Sequence, residues 1–272
     1  VELTDLSPDT QYTLYVTTDC GDEESAQSTQ LTFRTQCDAL TAPFVEDFTT
    51  NVLNSSCWST AKGLLSNNTT LQYTDASWVH SSSPVVDGNS TGKLKFNIYD
   101  DNKRDWVISP LIDLGEDGTL YEVSAKIAYT DYYEATEAPG IAPDDKFAIV
   151  VSTDGGMTWS SANAVIFAEG DSDTEHNISG LSTSLTRVTY LLQDAEGNPL
   201  TGLIKVGFYA ESTVFNTDNN IFVDDFMIIE PTSCAEPVSN SVVVSNITET
   251  SATVSWTDND ESHSAWNVYY KL

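Results

Sequence analysis

Hydrophobic and polar residues alternate with a spacing of two along most of this chain. The pattern is clearest in five segments rich in β-branched and aromatic residues, at 93–99, 122–129, 146–152, 203–210 and 221–229. Because successive side chains of a strand point to opposite faces, each segment predicts a β-strand with one buried face. A single short helix is predicted over 75–80.

Short polar segments that contain glycine or proline separate the predicted strands. Turn signals lie at 87–89, 116–118, 154–156 and 196–199. Many strands joined by polar turns, without a long helical pattern, are typical of a β-sandwich or a jelly roll. The sequence therefore predicts an all-β fold, and its 272 residues allow one to three domains.

The chain is strongly acidic, with 41 Asp and Glu against 11 Lys and Arg and a formal net charge of -30. Hydrophobic residues make up 40% of it, so the charge does not indicate a disordered tail. So few cations cannot neutralise the phosphates of a nucleic acid or an anionic membrane, and we expect neither as a partner. No apolar run approaches the roughly 18 residues that span a bilayer, so membrane insertion is not expected.

Strand-like segments lie near both ends of the chain. They cover 3–16 and 31–35 at one end, and 247–256 and 266–270 at the other. The first pair resembles the last strands of a fibronectin type III domain, and the second pair resembles its first strands. Neither half could bury a core alone. The resemblance implies one period of a tandem array, in which the tail of one copy completes a sandwich with the head of the next.

The central part contains five motifs in a characteristic order. They are Pro-Phe-Val-Glu-Asp-Phe at 43–48, Cys-Trp at 57–58, Asp-Trp-Val-Ile-Ser-Pro-Leu-Ile-Asp-Leu at 105–114, Val-Val-Ser-Thr-Asp-Gly-Gly-Met-Thr-Trp at 150–159, and Ile-Phe-Val-Asp-Asp-Phe at 221–226. In these motifs the central part resembles the MAM-like jelly rolls of Bacteroidota surface proteins, which include cleaved-adhesin and choice-of-anchor domains. The resemblance implies secretion, display on the cell surface, and adhesion or fibre building.

The two resemblances predict three domains. Residues 1–36 would be the C-terminal strands of a fibronectin type III domain, 37–231 a MAM-like jelly-roll β-sandwich, and 232–272 the N-terminal strands of a following fibronectin type III domain. The fold class predicted for the whole chain is therefore a jelly roll flanked by partial immunoglobulin-like sandwiches.

The four cysteines lie near the predicted domain boundaries. Cys37 and Cys57 bracket the opening of the central domain and are predicted to form a disulfide. Cys20 is predicted to pair with Cys234 of a neighbouring copy. An even count of cysteines at domain edges favours an oxidising, extracellular compartment over free thiols in the cytosol.

Two acidic pairs, Glu46–Asp47 and Asp224–Asp225, lie on the first and last predicted strands of the central domain. Terminal strands tend to be neighbours in a jelly roll, and an unpaired carboxylate turned inward is costly. Structural Ca²⁺, which related jelly rolls carry in a comparable place, would remove that cost. The predicted ligands are Glu46, Asp47, Asp87, Asn89 and Asp225. The alternative is that these groups are solvated or bonded to Ser, Thr and backbone N–H groups.

Tyr132 and Tyr133 lie in an acidic loop and are predicted to contact glycans, because exposed aromatic rings stack on sugar rings. The alternative is simple packing of the loop. The segment 152–159 fits the Asp-box pattern of sialidases, but one copy of the box predicts a rigid turn and not a propeller.

Catalysis is not expected. The three histidines share no metal-ligand spacing, and no Gly-x-Ser-x-Gly motif or phosphate-binding glycine loop is present. The leading hypothesis is a non-catalytic repeat of a secreted cell-surface adhesin or filament, whose partners are neighbouring copies. The alternative is a carbohydrate-binding accessory module of a secreted glycosidase or peptidase, whose partner is a surface glycan or polysaccharide.

Overall fold

The computed structural model describes residues 1–86, 88–136, 142, 144–169, 181–231, 241–258, 265, 266 and 268, with the backbone alone for 166–169. Within these ranges the chain consists of strands and loops, and its helices are two single 3₁₀ turns, Val52–Asn54 and Ser161–Asn163. Neither turn has the length or the apolar character needed to cross a membrane. The predicted all-β fold is confirmed.

Eighteen strands are present in the described residues. In chain order they are β1 (Gln11–Leu14), β2 (Leu31–Arg34), β3 (Leu40–Thr41), β4 (Phe44–Glu46), β5 (Ser59–Lys62), β6 (Gln72–Tyr73), β7 (Val79–Ser81), β8 (Lys93–Ile98), β9 (Lys103–Ile108), β10 (Ile112–Asp113), β11 (Glu122–Asp131), β12 (Lys146–Ser152), β13 (Ala164–Glu169), β14 (Thr186–Leu191), β15 (Leu203–Ser212), β16 (Asn219–Ile229), β17 (Val243–Ser245) and β18 (Thr253–Ser255).

Two sheets form the central jelly-roll sandwich. In the eight-stranded sheet the order is β13-β12-β15-β9-β5-β6, and β10 joins β15 to β3. In the six-stranded sheet the order is β14-β11-β16-β8-β7, and β4 pairs with β16. Glu46 of β4 lies opposite Phe226 of β16. The first and last strands that carry the acidic pairs are therefore neighbours, as the sequence predicted.

Apolar side chains of both sheets fill the space between them. They come from alternate positions of each strand, because every second side chain of a strand points to the same face. The buried cluster includes Leu94, Phe96, Ile98, Val206, Phe208, Ala210, Ile221 and Val223. The period-two pattern of the sequence thus corresponds to one inward and one outward face for each strand.

The helix predicted over 75–80 is wrong. Val79–Ser81 forms β7 and pairs with β8. Trp78, just before this strand, is buried with its ring 5.2 Å from that of Phe96 and 6.4 Å from that of Phe147. Pairing with β8 and burial of the indole outweigh a weak local preference for helix.

A second apolar cluster covers the outer face of the eight-stranded sheet. Trp106 and Trp159 meet edge to face with ring centroids 5.4 Å apart, and Trp106 lies 4.8 Å from Tyr209. A Cβ at Gly207 would come within 2.9 Å of carbon atoms of both indoles. Glycine is required by this close approach, so the two tryptophans pack against the sheet and form no open surface for a ligand.

The predicted turn at 154–156 is confirmed. Oδ1 of Asp154 accepts hydrogen bonds from the N–H groups of Met157 and Thr158, at 3.0 and 2.9 Å, and Oδ2 accepts one from the Thr158 hydroxyl at 2.6 Å. Burial opposes the charged form, but these bonds outweigh it and lower the pKa of Asp154 to about 2. The Asp-box motif therefore acts as a rigid turn after β12.

Two hairpins lie outside the sandwich. β1 pairs with β2 and β17 pairs with β18, each as a separate antiparallel sheet. The first hairpin contacts the sandwich through Asp9, whose Oδ1 accepts hydrogen bonds from Arg34 at 3.0 Å and from Ser56 at 2.5 Å. The domain limits at 36/37 and 231/232, and the likeness of the hairpins to fibronectin type III strands, stay predictions.

The predicted disulfide between Cys37 and Cys57 is present, with Cα atoms 5.5 Å apart. It closes a loop that contains β3, β4 and the first 3₁₀ turn. Cys20 is exposed and not bonded to another cysteine of the chain. Cys234 lies outside the described residues, so its pairing with Cys20 of a neighbouring copy stays a prediction.

Candidate functional site

The outer face of the six-stranded sheet carries charged, amide and aromatic side chains, several of which other parts of the chain cover. β8 turns Lys93, Lys95 and Asn97 outward, because the residues between them face the core. On the neighbouring strand, Phe222 lies opposite Lys95 and Asn220 lies opposite Asn97. Lys93, Asn220 and Phe222 are fully buried, so of this set only Lys95 and Asn97 are partly exposed.

Tyr132 and Tyr133 follow the last residue of β11 and form what we call the tyrosine platform. Asp131 fixes the turn, since its Oδ1 accepts hydrogen bonds from the N–H groups of Tyr133 at 2.8 Å and Glu134 at 3.2 Å. The N–H of Tyr132 donates to the carbonyl of Asp218 at 3.0 Å. The rings meet edge to face with centroids 4.9 Å apart, and the residues are 42% and 79% exposed. The rings are thus accessible on a fixed backbone.

Lys95 extends beside the tyrosine platform. Its Nζ lies 5.5 Å from the ring centroid of Tyr132 and 5.9 Å from that of Phe222. Burial lowers the pKa of Lys95, and the carboxylate of Asp218 acts in the opposite direction. In the described part of the chain no hydrogen-bond acceptor contacts this ammonium, so its three donors are available to a ligand.

Two of the predicted calcium ligands lie where β4 ends. Glu46 accepts a hydrogen bond from the N–H of Phe48 at 2.8 Å, and burial raises the pKa of Glu46. Asp47 accepts hydrogen bonds from the N–H and the hydroxyl of Thr49, at 2.9 and 2.8 Å. Both carboxylates therefore hold the turn after β4.

Asn89 lies in the loop before β8 and contacts the last strand. Its Nδ2 donates to Oδ2 of the buried Asp224 at 2.9 Å, and its Oδ1 accepts hydrogen bonds from the N–H and hydroxyl of Thr91. Lys93 is fully buried, and its ammonium donates to the carbonyls of Asn89 and Thr91, at 3.1 and 2.8 Å. Burial and the charge of Asp225 raise the pKa of Asp224 to about 6, while Lys93 acts in the opposite direction. The ammonium of Lys93 is thus a cation of the chain itself that binds the carbonyls of this loop.

The other two predicted calcium ligands are Asp225 and Asp87. Asp225 forms an ion pair with Lys126 at 3.0 Å, and Asp87 lies outside the described residues. Among the residues described, no three carboxylates of the predicted set have oxygens within 4.8 Å of one another; the one such group joins Asp9 to the two disulfide sulfurs, which cannot bind as thiolates. Calcium at this set stays a prediction, which thermal unfolding with and without a chelator would test.

Two adjacent aspartates before β12 have opposite environments. The carboxylate of Asp144 accepts hydrogen bonds from the N–H groups of Thr213 and Val214, at 2.7 and 2.8 Å, and from the side chain of Asn216. Asp145 is 1% exposed, and neither of its carboxylate oxygens has a hydrogen-bond partner. A buried carboxylate without a donor is the costliest arrangement for its charged form.

The protonation of Asp145 follows from these surroundings. Burial raises its pKa to about 8, and the charges of Asp144 and Glu211 act in the same direction. The hydroxyl of Ser212 and the backbone N–H of Ala142 act in the opposite direction, but neither forms a hydrogen bond with the carboxylate, and the Ser212 hydroxyl donates to the carbonyl of Asp100 at 3.1 Å. Asp145 is therefore protonated at neutral pH.

Reasoning from the sequence missed Lys93, Lys95 and Asp145. Alternation along 93–99 places both lysines on the outward face, so that signal was present. The burial of Lys93 depends on the loop that covers it, and the burial of Asp145 depends on the neighbouring β15. Neither could be inferred from positions along one strand.

The similarity of this chain to known proteins is confined to three-dimensional structure. No protein-family model matches it, and no curated protein is similar to it in sequence. A cleaved-adhesin domain of Lys-gingipain from Porphyromonas gingivalis is 14% identical with a TM-score of 0.39, over 70% of this chain and 99% of that domain. The carbohydrate-binding module TmCBM61, solved with β-1,4-galactotriose, is 14% identical with a TM-score of 0.37, over 67% of this chain and 99% of that module. The module CtCBM11 is 11% identical with a TM-score of 0.37, over 70% of this chain and 95% of that module. Similarity of this degree assigns neither a ligand nor an activity to the chain.

Proposed function

We propose that this chain is a non-catalytic, extracellular adhesion module that binds glycans at the tyrosine platform. The observation that carries the proposal is the exposed, edge-to-face pair of Tyr132 and Tyr133. The C–H faces of a pyranose ring pack on such rings, while its hydroxyls take hydrogen bonds from nearby polar groups. The ammonium of Lys95 supplies donors at the edge of the platform.

The platform is also rigid before a ligand arrives. Nδ2 of Asn97 donates to Oδ1 of Asp218 at 2.7 Å and to the carbonyl of Asn219 at 3.0 Å, which ties β8 to the segment that holds Tyr132. Binding to a preorganised surface loses less conformational entropy than binding to a mobile loop. This rigidity favours a recognition role over simple packing of the loop.

The charge and the disulfide support the class of ligand and the compartment. A net charge of -30 repels polyanions, so we expect neutral glycans and not sulfated or uronate-rich ones. The Cys37–Cys57 bond fits an oxidising compartment, such as the outside of the cell.

Alanine at both Tyr132 and Tyr133 should weaken binding at least about tenfold, or about 1.4 kcal/mol, because the stacking surface is lost. The measurement is isothermal titration calorimetry with the neutral oligosaccharide that binds best on a glycan array. Tyr73→Ala is the matched control, since this tyrosine is also exposed but lies on β6 of the other sheet. The proposal fails if no neutral glycan binds, or if the double variant keeps the wild-type affinity.

A second candidate function is the joining of copies into an array or fibre. The β1–β2 hairpin exposes Leu14 and Leu31, and the β17–β18 hairpin exposes Val243 and Val244. An isolated two-stranded sheet is marginally stable in water, so both hairpins would gain from a partner. We propose that hairpins of neighbouring copies complete a common sandwich. Sedimentation at increasing protein concentration would test this, and a monomer at every concentration would contradict joining between separate chains.

A further inference from the structure

A cleft of about 680 Å³ opens at the end of the sandwich opposite the tyrosine platform. The platform follows Asp131 at the end of β11, whereas the cleft adjoins Leu191, which pairs with Glu122 at the start of β11. Because β11 has 10 residues, the two places lie on the order of 30 Å apart. Ligand sites for small molecules typically have volumes of roughly 300–1,000 Å³, so the size of the cleft is adequate.

The floor of the cleft is the rim of the main core. Val151 is buried in that core, and Tyr190 and Leu200 pack against it while still lining the cleft. Tyr190 lies opposite the buried Val123, which explains why its ring turns inward between the sheets. The floor therefore offers the partly exposed side chains of Tyr190 and Leu200, which suit the C–H face of a sugar ring, while the buried Val151 lies behind them.

The walls of the cleft are polar, and three of their side chains are neutral. Thr153, Asn163 and Gln193 line it, and their side chains form no hydrogen bond with other residues in the described ranges. Two amides and one hydroxyl together supply both donors and acceptors. Sugar hydroxyls, which both donate and accept, match this mixture.

The charges around the cleft disfavour an anionic ligand. The described residues that line it include no Lys or Arg. The carboxylate of Asp194 also lines the cleft. It accepts hydrogen bonds within its own turn, from the N–H groups of Glu196 and Asn198 and from the Asn198 side chain. An anionic ligand would find no counter-charge there, and the net charge of the chain would repel it.

We infer that this cleft is a second binding site, which takes a neutral saccharide independently of the tyrosine platform. One chain would then hold two glycans at opposite ends of the sandwich and could bridge two polysaccharide strands. Two linked sites raise the apparent affinity for a repetitive surface above that of either site alone. The cleft site stands on its own observations and does not require the platform to bind.

The test is an NMR titration of the side-chain amide signals of Asn163 and Gln193. The probes are neutral hexasaccharides of glucose, xylose, mannose and galactose at millimolar concentration. At least one of them should shift both signals, and the shifts should persist when Tyr132 and Tyr133 are both alanine. Ala162→Trp, which places an indole at an exposed position of the cleft wall, should abolish them.

The outcomes separate the two sites. The inference is overturned if none of the four hexasaccharides shifts either amide, or if the shifts vanish with the tyrosine platform and survive Ala162→Trp. The platform is tested separately by calorimetry, and its failure there would leave the cleft shifts unchanged. If Ala162→Trp perturbs the whole spectrum, Gln193→Ala replaces it, and this surface change should weaken binding several-fold.

Discussion

Replacing Asp145 by asparagine should raise the free energy of unfolding at pH 7 by up to about 4 kcal/mol. The carboxyl group is buried without a donor, which raises its pKa from 3.8 to about 8. Each pH unit between 3.8 and 7 costs the folded state about 1.36 kcal/mol relative to an ordinary aspartate. Asparagine has nearly the same shape and no proton to lose, so the variant avoids this cost.

The size of the gain should depend on pH. The unfolded chain loses the Asp145 proton near its ordinary pKa of 3.8, whereas the folded protein keeps it up to about pH 8. The contribution of Asp145 to the free energy of unfolding of the wild type therefore falls as the pH rises through that interval. The difference between variant and wild type should be small at about pH 4, grow up to about pH 8 and then stay constant. Urea unfolding at several pH values across this interval measures it.

Asp144→Asn is the matched control and should have the opposite sign. Burial alone would raise the pKa of Asp144, but hydrogen bonds from Thr213, Asn216 and Val214 outweigh it and lower the pKa. Its charge is stabilised by the fold, so neutralising it should cost about 1–2 kcal/mol at neutral pH. Equal effects of the two substitutions, or a gain from Asp145→Asn that does not vary with pH, would contradict this account.

Removing the disulfide by serine at both Cys37 and Cys57 should lower the free energy of unfolding by about 3 kcal/mol. The bond closes a loop across 20 positions, so its loss increases the conformational freedom of the unfolded chain. The loop contains β4, and the β1–β2 hairpin directly precedes it. We therefore also expect faster hydrogen exchange in β4, while the centre of the sandwich keeps its protection.

Cys20→Ser is the control for this change, because Cys20 is exposed and not bonded to another cysteine of the chain. It should leave urea unfolding of the monomer unchanged. A double serine variant as stable as the wild type would show that the pairing of β4 with β16 holds this segment without the covalent bond.

The strands were predictable because alternation is a local signal. The segments predicted at 93–99, 146–152 and 203–210 coincide with β8, β12 and β15 to within two residues. The turn at Asp154 was also predictable, since its carboxylate bonds N–H groups no more than four positions away. The helix over 75–80 failed because the burial of Trp78 is decided by residues distant in the chain.

The candidate site was predictable in part. Tyr132 and Tyr133 could be chosen as aromatic residues in a polar loop, and the structure exposes both. Lys95 could not be placed beside them, because that contact requires β8 and β11 to flank β16. The ion pair of Asp225 with Lys126 was not predicted for the same reason, since Lys126 lies on β11 and Asp225 lies on the neighbouring β16.

The sequence by itself determined the all-β architecture, the acidic surface and the Cys37–Cys57 bond. These follow from local alternation, from composition and from residues close together in the chain. The tertiary structure alone decided that Asp145 is buried without a donor, that Lys93 lies beneath a loop, and that the core opens into a cleft. Each of these depends on strands far apart in the chain meeting in one sandwich, and no local pattern of residues specifies which of them will meet.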